Sequence, residues 1–120
     1  MVERFAVVLV ELDPTRGSEL QKTRPCVIVS PSEINARLRT VVVAPITSTV
    51  KKYPTRIPID QENVRGSIAL DQIRAIDKTR IVAQISRLDE QMAMLVADRL
   101  VEFFHYSFLD YSSQRGNIGT

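Results

Sequence analysis

Pro25-Cys-Val-Ile-Val-Ser30, Pro31-Ser-Glu-Ile-Asn-Ala-Arg-Leu38 and Thr40-Val-Val-Val-Ala-Pro-Ile46 follow one another with almost nothing between them. The first and third runs are dense in valine and isoleucine, whose branched Cβ suits a pleated strand. Pro25 opens one of them, where a missing N–H forfeits no ladder bond, and Pro45 marks an edge or a bend in the other. The spacing between them predicts a short helical turn over residues 31–38, with Ser32 as its cap and Ile34 and Leu38 four apart. A unit of two strands is marginal in water and needs further strands beside it.

The flanks supply them. Residues 5–12 (Phe-Ala-Val-Val-Leu-Val-Glu-Leu) read as a strand. Asp13-Pro14 and Gly17-Ser18 break it, and residues 13–23 form a polar loop of eleven residues, long enough to suspect of function. Downstream, residues 47–54 are a polar loop and residues 55–59 alternate like a half-buried strand. Residues 63–66 are expected to turn. Residues 67–76 make a fifth strand with Ser67, Ala69 and Asp71 on one face, and residues 81–85 a short sixth. A helix then starts at Leu88-Asp89, with Asp89 as N-cap and Leu88 and Ala93 placed as a hydrophobic staple. Met92, Leu95, Val96, Leu100, Phe103 and Phe104 recur at helical spacing. Taken over residues 90–109, this helix is about 30 Å long. The Met92, Phe103 and Phe104 stripe reads as core or dimer face. Strands dominate and one terminal helix packs on them, which is an α+β chain folded as a curled sheet or partly open barrel. Residues 1–110 are expected to form a single domain, and residues 111–120 a frayed tail.

A chain of 120 residues fits one domain, and 44% hydrophobic residues allow a real but small core. The formal net charge is only +2, but it is unevenly spread. Residues 14–58 hold eight basic side chains (Arg16, Lys22, Arg24, Arg37, Arg39, Lys51, Lys52, Arg56) against two acidic ones (Glu19, Glu33). A cationic face on a nearly neutral protein suits a polyanion; the competing reading is a mixed solvated surface. The single cysteine, Cys26, excludes an intramolecular disulfide and points to a reduced, buried thiol and a cytoplasmic home. No apolar run reaches the roughly 18 residues of a membrane span, and the first apolar run is too short for a signal-peptide core. His105 is the only histidine, so two-histidine ribonuclease chemistry and histidine-rich metal sites are excluded. Its place near a helix C-terminus favours a dipole contact over catalysis. Cys26, inside a strand, is poorly placed as a nucleophile.

Three segments gather the groups left over: Glu11-Leu-Asp-Pro-Thr-Arg-Gly-Ser-Glu19 with Lys22-Thr-Arg-Pro25, then Val43-Ala-Pro-Ile-Thr47 after Ser30-Pro31, then Leu70-Asp-Gln-Ile-Arg-Ala-Ile-Asp77. No one of these is diagnostic, but in this order they resemble the MazF/PemK family of toxin–antitoxin systems over residues 7–100. The family usually opens the first run with Asp, where this chain has Glu11. The resemblance implies an SH3-like, partly open β-barrel of the CcdB/MazF type with a C-terminal helix. It implies a homodimer, neutralised by a cognate MazE-like antitoxin, that cuts single-stranded RNA at short motifs without metal or other cofactor.

Carried over by position, the arginine of Arg-Pro falls on Arg24 and the threonine ending Ala-Pro-Ile-Thr on Thr47, the pair usually assigned to catalysis. Ser18, Glu19 and Gln72 fall where family members line the RNA groove. This chain departs from the pattern in having Phe5-Ala6 where Gly-Asp precedes the first strand. It also lacks two groups of the PemK branch, a histidine (Ser18 here) and an arginine (Ala69 here), and retains only Asp71 of that set. The resemblance implies attack by the RNA's own 2′-hydroxyl, leaving a 2′,3′-cyclic phosphate and a 5′-hydroxyl, with DNA resistant. Arg24 would neutralise phosphate charge with a fixed fork, and Glu19 or Asp71 would accept a proton. Arg16, Lys22, Lys51, Lys52 and Arg56 are candidate phosphate contacts, and the loop over residues 47–53 with the ring of Tyr53 is the candidate base reader. Two rivals share the fold: a CcdB-like gyrase poison, which would need a C-terminal tryptophan this chain lacks, and a non-catalytic SH3-like RNA-binding module.

Overall fold

Valine and isoleucine in the central strands have to be covered on both faces, and the chain does this by curling one sheet on itself. The computed structural model describes residues 2–11 and 23–107. Seven strands and two helices follow in the order β1 (Ala6–Glu11), β2 (Thr23–Ile28), α1 (Ser32–Arg37), β3 (Thr40–Thr47), β4 (Arg56–Gln61), β5 (Val64–Ala69), β6 (Arg74–Asp77), β7 (Ile81–Arg87) and α2 (Glu90–Phe104). The strand order is β4-β5-β3-β2-β1-β7, with β6 also on β3, and every pairing is antiparallel. One face carries Val7, Val27, Ala44, Ile46, Ile57, Ile68 and Leu70 against Val96 of α2. The other carries Val8, Val10, Cys26, Ile28, Val41, Val43 and Ile76. Each valine, isoleucine or leucine among them contributes roughly 1.5–3 kcal/mol on full burial. This two-sided burial is why β3 reads as an unbroken apolar run rather than an alternation.

The strand expected over residues 67–76 is interrupted. Between the pairs Ile46↔Ile68 and Val43↔Arg74, two residues of β3 face five of the opposing segment, so three are extruded. Leu70–Gln72 form a single 3-10 turn there. Leu70 plugs the core at 0% exposure and anchors the turn, while Asp71 and Gln72 are carried out of the sheet. Local β propensity cannot reveal this, because the two halves pair with different parts of the same β3 edge.

Other expectations shift by smaller amounts. The hairpin turn is Glu62–Asn63 rather than residues 63–66, with Asn63 in the left-handed region at φ 70°, which asparagine tolerates. β2 starts two residues before Pro25. Its ladder to β3 begins only at Cys26, so Pro25 is paired on the β1 side alone and its missing N–H is harmless. Ser32 does not cap α1; its Oγ accepts the Arg4 N–H at 2.9 Å, and Ile34 and Leu38 remain exposed. Helix α2 begins as expected, with Asp89 accepting the Met92 N–H at 2.8 Å and Leu88 buried in the core cluster that Ala93 packs against. It ends at Phe104, with His105 as C-cap, well short of residue 109. Its last turn has no core to face: Val101, Phe103 and Phe104 are exposed, so the helical stripe ceases to add stability there. The proposed tail, residues 111–120, lies outside the described residues.

Candidate active site

Antiparallel register brings the two central side chains of the sequence reading together. β2 and β3 pair through Ile28↔Val43, Val27↔Ala44 and Cys26↔Pro45. Continued by two residues, that register sets Arg24 opposite Thr47, and residues two apart in a strand share a face. Thr47 in turn pairs with Ser67 of β5, which pairs with Pro58 of β4. One face of the curled sheet therefore runs Arg24, Thr47, Ser67, Pro58, with Arg56 and Arg65 on that same face of β4 and β5.

An open cleft of about 530 Å³ lies on this face, lined by Thr23, Arg24, Pro25, Ile46, Thr47, Ser48, Thr49, Lys51, Arg56, Arg65 and Gln72. Its charged lining residues are four cations, with no carboxylate among them. Low-dielectric walls concentrate such a field, and an anion is the ligand it favours. Its remaining polar groups are hydroxyls and an amide, which orient a ligand by hydrogen bonding.

Each group is held differently. Arg24 is exposed and forms no ion pair with another described residue. The Thr47 hydroxyl donates to the Thr49 carbonyl at 3.1 Å, so its lone pairs remain as acceptors. Gly66 lets the end of β3 come close: a Cβ there would stand 2.4 Å from the Thr47 carbonyl oxygen. Arg56 is gripped side-on by Asp71, with Nε to Oδ1 at 2.7 Å and Nη2 to Oδ2 at 3.1 Å. The Thr55 hydroxyl donates to the same Oδ1 at 3.0 Å. The Arg56 guanidinium, with help from Thr55, holds the Asp71 carboxyl down at a pKa of about 2. Tyr53 stacks its ring 5.7 Å from the Arg56 guanidinium carbon. The loop before β4 is tied from outside by Arg99 of α2, whose Nη1 donates to the Pro54 carbonyl at 2.6 Å.

Of the residues singled out in the sequence, Arg24, Thr47, Lys51, Arg56 and Gln72 share the cleft. Asp71 and Tyr53 stand behind Arg56, and Lys52 is exposed on the same loop but not on the lining. Arg16, Ser18, Glu19 and Lys22 lie outside the described residues. Thr23, Ser48 and Thr49, which lie in segments that the sequence singled out, line the cleft too, and only Arg65 was not anticipated. Arg65 was hidden by the misplaced turn: once Val64 starts β5, the alternation with Ser67 and Ala69 sets Arg65 on the cleft face. Cys26 lies under this face, fully buried, with its thiol pushed up to about 12 by burial against the opposing pull of Arg24 and Arg74.

The family model described as PemK-like, MazF-like toxin of type II toxin–antitoxin system matches residues 3–104. The chain is 34% identical to Endoribonuclease MazF of Staphylococcus epidermidis over 106 residues, covering 83% of this chain and 88% of that protein. It is 36% identical to Endoribonuclease EndoA of Bacillus subtilis (strain 168) over 106 residues, 83% of this chain and 91% of the relative. The fold matches a MazE–MazF crystal structure from Deinococcus radiodurans with a TM-score of 0.75 at 23% identity, over 88% of this chain and 97% of that one.

Proposed function

The chain belongs to the PemK-like, MazF-like toxins of type II toxin–antitoxin systems and is a toxin endoribonuclease; from this premise we propose that it cuts single-stranded RNA at short motifs without a metal ion. The attacking group is the substrate's own 2′-hydroxyl. Its oxygen bonds to the adjacent phosphorus, the bond from phosphorus to the 5′-oxygen breaks, and the products carry a 2′,3′-cyclic phosphate and a 5′-hydroxyl. The 2′-hydroxyl proton leaves to an acceptor, and the departing 5′-oxygen takes one up.

The observation that supports this reading is that Arg24 and Thr47 line one cationic cleft. Arg24 offers a permanently charged, bidentate fork to the non-bridging oxygens as charge builds on them. Such a donor, once fixed on the phosphate by the bound strand, contributes roughly 3–4 kcal/mol to lowering the barrier. Thr47 is already donating to the Thr49 carbonyl, so it serves best as acceptor for the 2′-hydroxyl, orienting it for in-line attack. Of the two carboxylates considered for the proton, Asp71 already accepts three hydrogen bonds and is a weak base. That leaves the acceptor role to Glu19.

An antitoxin is the partner that the family affiliation implies; we further propose that it is MazE-like. The toxin is proposed to work as a cytoplasmic homodimer. Exposed Val101, Phe104 and Tyr106 at the end of α2 are apolar surface that a second copy could cover. Among the described residues no helix is long and apolar enough to cross a membrane.

The test is incubation of the purified protein with mixed RNA in EDTA, followed by mapping of the cut ends. The expected result is 5′-hydroxyl and cyclic phosphate termini, uncut DNA, and loss of at least ~100-fold in rate for Arg24→Ala. Termini bearing 5′-phosphate, or activity abolished by the chelator, would overturn the chemistry. Retained RNA affinity with no cleavage by the wild type would instead indicate a binding module.

A further inference from the structure

The cleft holds two kinds of cation. Arg65 has a side chain 86% exposed and only a 4.0 Å approach to Asp60. Arg56 has a side chain 9% exposed and two short bonds to one carboxylate. These bonds occupy Nε and Nη2, and Nη1 makes no hydrogen bond with another described residue although Arg56 borders the cleft.

We propose that Asp71 is a positioning residue that acts through Arg56. It clamps the guanidinium side-on so that the Nη1 edge serves, beside Arg24, as a second arginine donor to an RNA phosphate. The inference rests on the reading of the cleft as an RNA site and assigns Asp71 a role other than proton transfer.

The surroundings are those of a rigid mount. Asp71 lies in the three-residue turn extruded between β5 and β6, immediately after Leu70, which is wholly buried. The Leu70 N–H donates to the Thr55 carbonyl at 2.9 Å, and the Thr55 hydroxyl donates to Asp71. The turn and the start of β4 are thus locked together by backbone and side chain. A guanidinium held on one edge by a carboxylate keeps its other edge in a set direction, and little of its freedom is left to lose when phosphate arrives. The carboxylate also tempers the field: the cleft attracts an anion with Arg24, Lys51 and Arg65, while Arg56 contributes direction more than net charge.

A double-mutant cycle tests this, using an RNA with a single 2′-deoxy nucleotide at the scissile position, so that binding is read apart from cleavage. Arg56→Ala is expected to weaken binding about tenfold, the usual size for a charged hydrogen-bond donor. Asp71→Ala should lose a similar factor, and the double variant should be no worse than Arg56→Ala alone. Arg56→Lys, which keeps charge but cannot be held side-on, should not restore affinity. Asp71→Asn, which is isosteric, repeats the measurement with the fold least disturbed, and its kcat/KM should keep the wild-type acid limb. Multiplying losses in the double variant, or a lost acid limb in Asp71→Asn with binding intact, would show Asp71 acting on its own and overturn the proposal. Cleavage unaffected by Arg24→Ala would sink the RNA-cleft reading itself, and the clamp with it.

Discussion

The Thr47 hydroxyl donates to the Thr49 carbonyl, so the lone pairs of its oxygen are what it offers the cleft. Single side chains here are specialised by what already binds them. Asp71 is the clearest case. Its carboxyl is depressed from its ordinary value of 3.8 to about 2, chiefly by the Arg56 hydrogen bonds. A depressed carboxylate stabilises the fold above its unfolded pKa and loses that contribution as pH falls from about 4 through about 2. Wild type should therefore show an extra loss of stability across that window, read as unfolding midpoint against pH, and Asp71→Asn should not. Cys26 is the opposite case, raised from 9.0 to about 12 by burial. The unfolded chain releases this proton first, so stability from the buried thiol is full below about pH 9 and declines as pH rises toward 12. Iodoacetamide at pH 8.5 should leave the native thiol unmodified and label it once denaturant is added. Labelling of the native protein at the unfolded rate would contradict the burial.

Elements, rather than residues, set the distances in the site. The tip of β3 reaches the cleft because β5 presents Gly66, at φ +155° and with no Cβ to hold Thr47 away. Gly66→Ala forces the Thr47 carbonyl to retreat from a 2.4 Å clash. Displacement of about 1 Å near the chemistry can reduce rate by about 100-fold, so kcat should fall well beyond any change in RNA affinity. Unaltered turnover would mean that the end of β3 does not position Thr47. Helix α2 contributes by bracing: Arg99 ties down Pro54, and Asp89 satisfies the first turn. Asp89→Ala should lower stability by about 1 kcal/mol, measured by denaturant unfolding, the usual value of an N-cap. The periodic positions stop at Phe104, where the helix also stops, and its expected extension had no burial behind it, since residues 101–106 are exposed.

For the whole molecule, a formal net charge of +2 conceals a cleft bordered by four cations. If Arg24, Lys51 and Arg65 neutralise phosphate on a single strand, the Arg56 charge being already offset by Asp71, log affinity should fall against log salt with a slope near ~−2, at about −0.7 per contact. A slope near zero would place the RNA elsewhere. Much was legible before folding. The apolar β-branched runs announced β1, β2 and β3, the Leu88-Asp89 start announced α2, and the ordered motifs announced the family. Arg24, Thr47, Lys51, Arg56 and Gln72 were singled out and share the cleft. The break at Leu70–Gln72, the presence of Arg65, and the pairing of Arg56 with Asp71 were not legible.

The division follows from range. Strand character, caps and motif order are properties of neighbours along the chain, and the amino-acid order alone determined them. Which strands lie side by side, in what register, and how three residues are squeezed out opposite β3 depend on pairs far apart in the chain. Only the tertiary structure decided these, because a register is chosen by the burial of a whole face at once, and no local run of residues contains that face.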